Sequence, residues 1–233
     1  IGEGIAIALA DAGAHVIITA RDHERLKIVE KTIAERNGNC SIVVGDITEE
    51  ETIQHLIDHA IEDFNQLDIW VSNAGTSDHP GSFAFEEFPP WHWDQQIALN
   101  LRPHFIAARA CAEVMKPGSS IIGISSIAGI RPAVRFAAYG AAKAGMNNLT
   151  ETLSIELAPK GIRANVVSPG QVPTEATTRV GGVPPEEFKN LGQRIPLGRV
   201  GTPTDIAAAV LYLVSDAGSW VTGQNIVVDG GVT

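Results

Sequence analysis

Short runs of β-branched and other apolar residues alternate along this chain with longer segments in which apolar residues recur every three or four positions. A short apolar run predicts a buried strand, and the longer period predicts an amphipathic helix. The predicted strands are 15–19, 40–45, 67–72, 120–124, 162–167 and 225–228. The predicted helices are a first one at 4–12 and then about 22–36, 49–64, 91–116, 138–159 and 203–215.

Regular alternation of strands and helices is typical of a parallel sheet with helices on both faces. Right-handed crossovers then give an α/β fold, a single doubly wound parallel sheet of the Rossmann type in three α/β/α layers. The 233 residues contain no linker or low-complexity stretch, so we expect one domain, 1–233. Thr48 and Glu51 have the spacing of a capping box, which predicts the start of the helix at 49–64.

Composition excludes several classes of protein. The net charge is −10 without a basic stripe, which argues against nucleic acid and anionic membranes as partners. No apolar run approaches the roughly 20 residues that a membrane helix needs. Cys40 and Cys111 lie in apolar surroundings, so we expect buried free thiols in a reducing, cytoplasmic setting rather than a disulfide. No Cys/His cluster has zinc spacing, and we expect no metal.

The chain begins in the middle of a helical pattern, with glycines at positions 2 and 4. In a dinucleotide-binding unit, the first strand runs into a glycine-rich turn, and the helix that follows presents its N-terminus to the phosphates. Gly2 would then be the last glycine of that turn. We therefore expect the first strand and the earlier glycines to precede residue 1, on roughly 10 to 25 further residues.

Tyr139 and Lys143 are four residues apart in a predicted helix, which places both side chains on one face. Ser126 lies at the carboxyl end of a predicted strand, the edge where ligands bind in open α/β sheets. Lowering a phenol pKa from 10 to about 7 requires about 4 kcal/mol, and an ammonium about 4 Å away supplies a term of that size. We expect Lys143 to lower the pKa of Tyr139, which then exchanges a proton with a carbonyl or alcohol oxygen oriented by Ser126.

Several motifs in order resemble the short-chain dehydrogenases/reductases, over essentially the whole chain. They are "IG" at 1–2, "GDIT" at 45–48, "NAG" at 73–75, Asn100 in "ALNL", "SS" at 125–126, "YGAAK" at 139–143, "SPGQVPT" at 168–174 and the closing "VTGQNIVVDGG". Ser72 stands where many members have a second asparagine, which is a minor departure.

The resemblance implies an NAD(P)-dependent oxidoreductase that transfers a hydride between a nicotinamide cofactor and a ketone or secondary alcohol. The implied catalytic residues are Asn100, Ser126, Tyr139 and Lys143, with Asn100 holding a water that links Lys143 to solvent. The implied cofactor-binding residues are Ile1, Gly2, Arg21, Asp46, Ile47, Asn73, Ala74, Gly75, Tyr139, Lys143, Pro169, Gly170, Val172 and Thr174. Among these, Asp46 and Ile47 would face the adenine, and Thr174 the nicotinamide carboxamide.

The residues after the second strand of such a unit decide the cofactor. An acidic residue about 20 positions beyond the glycine motif favours NAD, because it bonds the ribose 2′-hydroxyl and repels a 2′-phosphate. Here Ala20 is followed by Arg21, which suits a 2′-phosphate, so we expect NADP(H) in preference to NAD(H). Asp22 argues the other way if the turn is shifted.

The substrate pocket is expected from three segments, 76–80, 127–136 and 171–197, the last as a mobile lid or a variable surface loop. The chain resembles both 3-oxoacyl-carrier-protein reductases and hydroxysteroid or cyclic-alcohol dehydrogenases. A reductase for an acidic carrier protein should offer a basic patch, whereas the loop before the Ser126 strand carries Lys116 alone. We expect a free small ketone or alcohol, with the carrier-protein substrate as the alternative. A nucleotide-sensing regulator is the non-enzyme alternative, although it needs no catalytic set.

The helices at 91–116 and 138–159 resemble the pair through which family members assemble, so we expect a homotetramer, or a homodimer. Trp93, seven residues before Asn100, is expected in the core.

Overall fold

Parallel strands alternate with helices along the chain in our computed structural model, which describes residues 1–76, 84–174 and 185–233. The strands are β1 His15–Ala20, β2 Asn39–Val44, β3 Ile69–Ser72, β4 Ser120–Ile124, β5 Arg163–Pro169 and β6 Asn225–Val228. The α-helices are α1 Gly2–Asp11, α2 His23–Glu35, α3 Glu50–Phe64, α4 Pro90–Asn100, α5 Arg102–Val114, α6 Ala137–Leu157, α7 Pro185–Gly192 and α8 Pro203–Val214.

All strand pairs of the described residues are parallel. β1 pairs with β2, and a second sheet has the order β3-β4-β5-β6. Between β1 and β3 lies a cavity of about 830 Å³, lined by residues of both strands and of α1. The predicted α/β fold is therefore confirmed, with its strands divided between two sheets. The strand expected upstream of residue 1 stays a prediction, as does the assignment of 1–233 to one domain.

Helices cover both faces of the strands, as predicted. One apolar cluster joins α3, α5 and the end of α6 to one face and contains Ile57, Ile121 and Ile162. The other joins α1 and α8 to the opposite face and contains Ile122 and Val167. Adjacent residues of β4 thus serve opposite clusters, because side chains alternate along a strand. The three predicted layers are present, and the carboxyl ends of the strands share one edge.

The predicted capping box at Thr48 is wrong. α3 begins at Glu50, and its N-cap residue Glu49 makes no side-chain capping bond. The Thr48 hydroxyl instead donates to Asp46 Oδ1 at 2.8 Å, and the Thr48 amide donates to the same oxygen at 2.9 Å. Thr48 lies one residue before the N-cap and bonds the Asp46 carboxylate instead, and hydrogen bonds to an ionised group are the stronger ones.

The predicted helix 91–116 is two helices. The chain leaves helical geometry at Leu101, with φ −125° and ψ −52°, between α4 and α5. Pro103 follows in the first turn of α5, a position that tolerates proline because its missing N–H would be unpaired there. Trp93 is 42% exposed rather than in the core, because it faces outward from α4.

The cysteines are free thiols, Cys111 buried and Cys40 partly buried. Burial raises the pKa of the Cys40 thiol to about 11, so the thiol form is favoured at neutral pH. No group of three or more potential metal-ligating side chains occurs within the described ranges. None of the helices described is both long and apolar enough to cross a bilayer.

Candidate active site

The segments that carry the predicted site residues follow β3, β4 and β5. Because these strands are parallel neighbours, their carboxyl ends bring 73–75, 125–126 and 170–174 to one edge. That edge is where an open α/β sheet binds its ligands. Among the pocket segments, 77–80 and 175–184 lie outside the described residues, so the predicted lid is not tested.

Ser126 stands at the start of a short 3-10 turn, Ile127–Gly129, where its Oγ accepts from the Ala128 amide at 3.1 Å. The turn packs directly on α6, since a Cβ on Gly129 would lie 2.7 Å from the Lys143 carbonyl carbon. Ser125 Oγ completes the contact by donating to the Lys143 carbonyl oxygen at 3.1 Å. This packing brings the Ser126 hydroxyl to the Tyr139 phenol, with which it forms a hydrogen bond.

Tyr139 and Lys143 lie on the same face of α6, as their spacing predicts. The Lys143 ammonium is buried, donates to the Ile124 carbonyl oxygen at 2.8 Å and lies 5.7 Å from the Tyr139 ring centre. Phe136 lies edge-on to the phenol ring with 6.4 Å between centroids. Burial lowers the pKa of Lys143 to about 8, because an apolar setting disfavours the charged form.

The expected lowering of the Tyr139 pKa is not found. Burial raises the pKa of this phenol above its usual range, and the hydrogen bond from Ser126 opposes the rise. The charge of Lys143 does not offset this rise, and its ammonium donates to the Ile124 carbonyl oxygen. In this arrangement Tyr139 is a protonated group, which suits proton donation.

Asn100 ends α4 with its amide fully engaged. Its Oδ1 accepts from the Thr76 amide at 3.1 Å, and its Nδ2 donates to the Thr76 carbonyl oxygen at 3.1 Å. Nδ2 also donates to Gln96 Oε1 at 3.0 Å. A Cβ on Gly75 would lie 2.5 Å from Asn100 Oδ1 and 3.3 Å from Lys143 Nζ. Only glycine fits between these two groups, so the turn after β3 is part of the same cluster.

The predicted adenosine side lies at the ends of β1 and β2. Arg21 Nη1 is 3.7 Å from Asp46 Oδ2, and its side chain is 81% exposed. The Thr48 amide and hydroxyl lower the pKa of Asp46, and both bonds occupy Oδ1. Asp46 therefore keeps Oδ2 for a further donor. Ile47 lines the cavity beside these groups, as does Ala74.

The remaining predicted cofactor residues fall into two places. Gly2 begins α1 against Asn73, with 2.5 Å between a Cβ on Gly2 and Asn73 Nδ2. Ile1 is the N-cap residue of the same helix. After β5, whose last residue is Pro169, Gly170 packs against Asp229, where a Cβ would meet backbone at 2.7 Å. Val172 is buried in the second core cluster, and Thr174 ends the described segment. The close contacts of Gly2 with Asn73 and of Gly170 with Asp229 favour glycine at positions 2 and 170.

Sequence reasoning missed two buried polar residues beside the site. Gln96 is 1% exposed and one helical turn before Asn100. His104 is 1% exposed and bonds both Ser72 and Thr150. A polar residue at an apolar position of a helical pattern is the signal that would have found them.

A family model described as enoyl-(acyl carrier protein) reductase matches residues 1–233. The chain is 36% identical to the L-rhamnose-1-dehydrogenase of Scheffersomyces stipitis over 100% of this chain and 91% of the relative. It is 35% identical to the 3beta-hydroxysteroid dehydrogenase 1 of Eggerthella lenta, over 100% and 89%. It is 37% identical to the 3-oxoacyl-(acyl-carrier-protein) reductase of Rickettsia conorii, over 100% and 92%.

A solved structure of a 7 alpha-hydroxysteroid dehydrogenase in complex with NADH and 7-oxo glycochenodeoxycholic acid has the same fold. Its TM-score is 0.90 at 32% identity, covering 99% of this chain and 89% of that one. Together with the family model and the curated relatives, this similarity shows that the chain belongs to the short-chain dehydrogenase/reductase family and is an NAD(P)-dependent oxidoreductase acting on alcohols or ketones.

Proposed function

We propose that the protein is an NADP(H)-dependent oxidoreductase that interconverts a free small ketone and its secondary alcohol, with Tyr139 as the general acid/base. The observation that carries the proposal is the hydrogen bond between Ser126 and Tyr139, with the buried Lys143 ammonium 5.7 Å from the Tyr139 ring centre. Two hydroxyl groups that converge at one point can both bond a single substrate oxygen. That is the arrangement that a carbonyl undergoing reduction requires.

Tyr139 supplies the proton in reduction. Its raised pKa keeps the phenol protonated at neutral pH, and an alkoxide that forms beside it is a far stronger base. Ser126 donates to the same oxygen and orients it. In oxidation the proton moves back to Tyr139, which has to be deprotonated first, so a phenol with a raised pKa favours the reductive direction at neutral pH.

Lys143 contributes positive charge from below the phenol. Its pKa of about 8 leaves most of the amine protonated at pH 7. The charge stabilises the phenolate that proton donation produces, even at 5.7 Å from the ring centre. Asn100 holds the backbone at Thr76 and, through it, the turn that covers Lys143.

The groups at the sheet edge fit a nicotinamide dinucleotide. Gly2 and Gly75 let the start of α1 and the turn after β3 pack closely on Asn73 and Asn100, where a Cβ would collide. The N-terminus of α1 offers its backbone amides to a pyrophosphate. When bound, the dinucleotide supplies the hydride, which no protein side chain provides.

The choice of NADP over NAD is supported by the partners of Arg21 and Asp22. Asp22 caps α2, accepting from the Glu24 amide at 3.1 Å and the Arg25 amide at 3.2 Å. Its carboxylate is committed to the helix, whereas the Arg21 guanidinium is exposed and only loosely paired at 3.7 Å. An arginine in that state can grip a 2′-phosphate by two hydrogen bonds.

A free, largely apolar substrate is supported by the loop between Ser126 and Tyr139. Ile130 is 44% exposed and Val134 is 85% exposed there, and exposed apolar residues beside a site favour an apolar ligand. Arg131 in the same loop donates to the Val232 carbonyl oxygen. Lys116 bonds the Asn65 carbonyl oxygen at 3.0 Å, at the amino end of β4 and away from the site. A basic patch for an acidic carrier protein is thus not favoured.

Assembly as a homotetramer or homodimer is supported by exposed apolar side chains on the helices expected to pair. Trp91 and Phe105 are 58% and 47% exposed on α4 and α5, and Ile155 is 74% exposed on α6. Contact with a second copy would remove such apolar side chains from water. Light scattering on the purified protein checks this, and a monomer at micromolar concentration contradicts it. A cytoplasmic location stays a prediction.

The function is tested with purified protein, NADPH and NADH, and three substrate classes. These are a panel of free cyclic and steroid ketones, 3-oxoacyl thioesters of coenzyme A, and the same acyl groups on acyl carrier protein. We expect turnover of free ketones, lost in Ser126→Ala. Strong activity only on the carrier-bound thioester would establish the alternative substrate, and dinucleotide binding without any turnover would favour the sensor.

A further inference from the structure

A chain of hydrogen bonds runs through the interior from β3 to α6. Trp70 Nε1 donates to Ser72 Oγ at 3.0 Å, and Ser72 Oγ lies 2.9 Å from His104 Nδ1. The other ring nitrogen, Nε2, lies 2.9 Å from Thr150 Oγ1, which donates to the Met146 carbonyl oxygen at 2.8 Å. We call Trp70, Ser72, His104 and Thr150 the His104 network. It connects β3 with α6 through His104 on α5.

The directions of these bonds identify the tautomer of His104. An indole N–H only donates, so Ser72 Oγ accepts from Trp70 and has its own proton to give. The Thr150 proton is used on the Met146 carbonyl oxygen, so Thr150 Oγ1 accepts from His104. A neutral ring with the proton on Nε2 gives every donor an acceptor. The other tautomer leaves the Ser72 proton without an acceptor in the network.

The two ends of the network meet different parts of the site. Ser72 is the last residue of β3 and directly precedes the turn 73–75 at which the dinucleotide is proposed to bind. Thr150 is two turns beyond Lys143 on α6, the helix that also carries Tyr139. Between the ends, His104 lies against β4, since a Cβ on Gly123 would be 3.5 Å from its Cε1. The next residue, Ile124, accepts the bond from Lys143.

We propose that His104, as the neutral Nε2–H tautomer, is a positioning residue. It holds the turn 73–75, at which the dinucleotide is proposed to bind, in a fixed position relative to α6, the helix that carries Tyr139 and Lys143. The proposal rests on the proposed function. His104 touches neither substrate nor cofactor and acts through Ser72 on one side and Thr150 on the other. Its two ring nitrogens therefore affect two different measurable quantities, dinucleotide affinity and turnover.

Two conservative variants test the bond from Ser72 and the bond to Thr150 separately. An asparagine oxygen takes the place of Nδ1, so His104→Asn keeps the bond from Ser72 and loses the bond to Thr150. A glutamine nitrogen takes the place of Nε2, so His104→Gln keeps the bond to Thr150 and loses the one from Ser72. We expect His104→Asn and Thr150→Val to lower kcat about tenfold with dinucleotide Kd unchanged, because small misplacement of reacting groups costs rate. We expect His104→Gln and Ser72→Ala to raise the dinucleotide Kd severalfold and to change kcat less.

Thr152→Val is the matched control. Thr152 lies on the same helix and makes the same kind of bond to the carbonyl four residues earlier, Asn148 at 3.1 Å, but it is exposed and outside the network. Equal effects of Thr150→Val and Thr152→Val on kcat would overturn the proposal. So would unchanged kcat and Kd in both His104→Asn and His104→Gln.

Nitrogen-15 NMR of the wild-type histidine rings gives a readout independent of activity. The resonances of His104 should show a protonated Nε2 and an unprotonated Nδ1 at pH 7, and a ring protonated on Nδ1 would overturn the assignment. If the wild type binds no dinucleotide and turns over no ketone, the proposed function fails. The network is then decided by this spectrum and by the coupling between Ser72→Ala and Thr150→Val in unfolding experiments, where strict additivity would contradict it.

Discussion

Lys143 Nζ lies 5.7 Å from the centre of the Tyr139 ring while it donates to the Ile124 carbonyl oxygen at 2.8 Å. The ammonium is therefore held by the strand that leads to Ser126, and not by the phenol. Its charge acts across the ring at a distance fixed by β4 and α6. The two residues thus have distinct roles, proton transfer by Tyr139 and charge stabilisation by Lys143.

Tyr139→Phe removes the only proposed proton donor and keeps the ring. We expect kcat to fall about 10²- to 10⁴-fold, the range for a positioned general acid, with dinucleotide affinity within a factor of two. Steady-state kinetics and dinucleotide titration measure both quantities. Tyr212→Phe, on the exposed face of α8, is the control and should leave both unchanged. Full activity in Tyr139→Phe would remove this residue from the mechanism.

Lys143→Met exchanges a buried cation for an apolar chain of similar length. Burial lowers the pKa of Lys143 from 10.5 to about 8, which corresponds to a cost of about 3 kcal/mol for the charged form. Losing the bond to the Ile124 carbonyl oxygen offsets about 1 kcal/mol of this. We expect the variant to be inactive and yet more stable than wild type at pH 7, by about 1–2 kcal/mol.

The stability difference between Lys143→Met and wild type should depend on pH. Between pH 8 and 10.5 the unfolded wild type binds more protons at this lysine than the folded state does, so wild-type stability rises with pH. The advantage of Lys143→Met over wild type should shrink over that window. Urea unfolding at pH 7 and pH 10 measures it, and a variant less stable than wild type at pH 7 would show that the buried charge is not a cost.

The sequence predicts much of this site because the relevant rules are local or topological. Four-residue spacing places Tyr139 and Lys143 on one face of a helix, and parallel strands bring Ser126 to the ligand edge. The direction of the Tyr139 pKa shift is not predictable from the sequence, because it depends on how deeply the fold buries the phenol. Burial is set by tertiary contacts, which a spacing rule does not contain.

The same limit applies to the polar interior. In the sequence, His104 is a polar residue that interrupts the apolar pattern of one predicted long helix. Its hydrogen-bond partners, Ser72 and Thr150, lie 32 and 46 residues away along the chain. The break at Leu101 between α4 and α5 interrupts what the apolar pattern predicts as one helix. Ser72, which stands where many family members have asparagine, links Trp70 to His104.

Arg21→Asp tests the proposed cofactor preference. The change removes the exposed guanidinium near Asp46 and adds a carboxylate that repels a 2′-phosphate and can bond a 2′-hydroxyl. We expect the ratio of kcat/KM for NADPH to that for NADH to fall by at least about 100-fold, the sum of two effects of about 1.4 kcal/mol each. Lys31→Asp, the same charge change on the exposed side of α2, is the control. Wild-type protein that uses NADH as well as NADPH would contradict the assignment before any variant is made.

We expect the buried His104 to make the protein less stable in mild acid. Burial, with a smaller effect of the Lys143 charge, lowers the pKa of His104 from 6.5 to about 4. Between pH 6.5 and 4 the unfolded state therefore binds more protons at this residue than the folded state does, and the free energy of unfolding falls as the pH falls. The full difference of about 2.5 pKa units corresponds to about 3 kcal/mol, present above pH 6.5 and lost as the pH drops through 4.

His104→Gln has no proton to gain, so its stability should be flatter over the same window. The comparison is a difference between two proteins that share every other titrating group, including His15, whose pKa is also lowered by burial. Urea unfolding at pH 7.0, 5.5 and 4.5 measures both slopes, and the lower limit keeps most carboxylates ionised. Parallel slopes for the two proteins would mean that His104 accepts a proton in the folded state, which would break the bond from Ser72 and the register that it maintains.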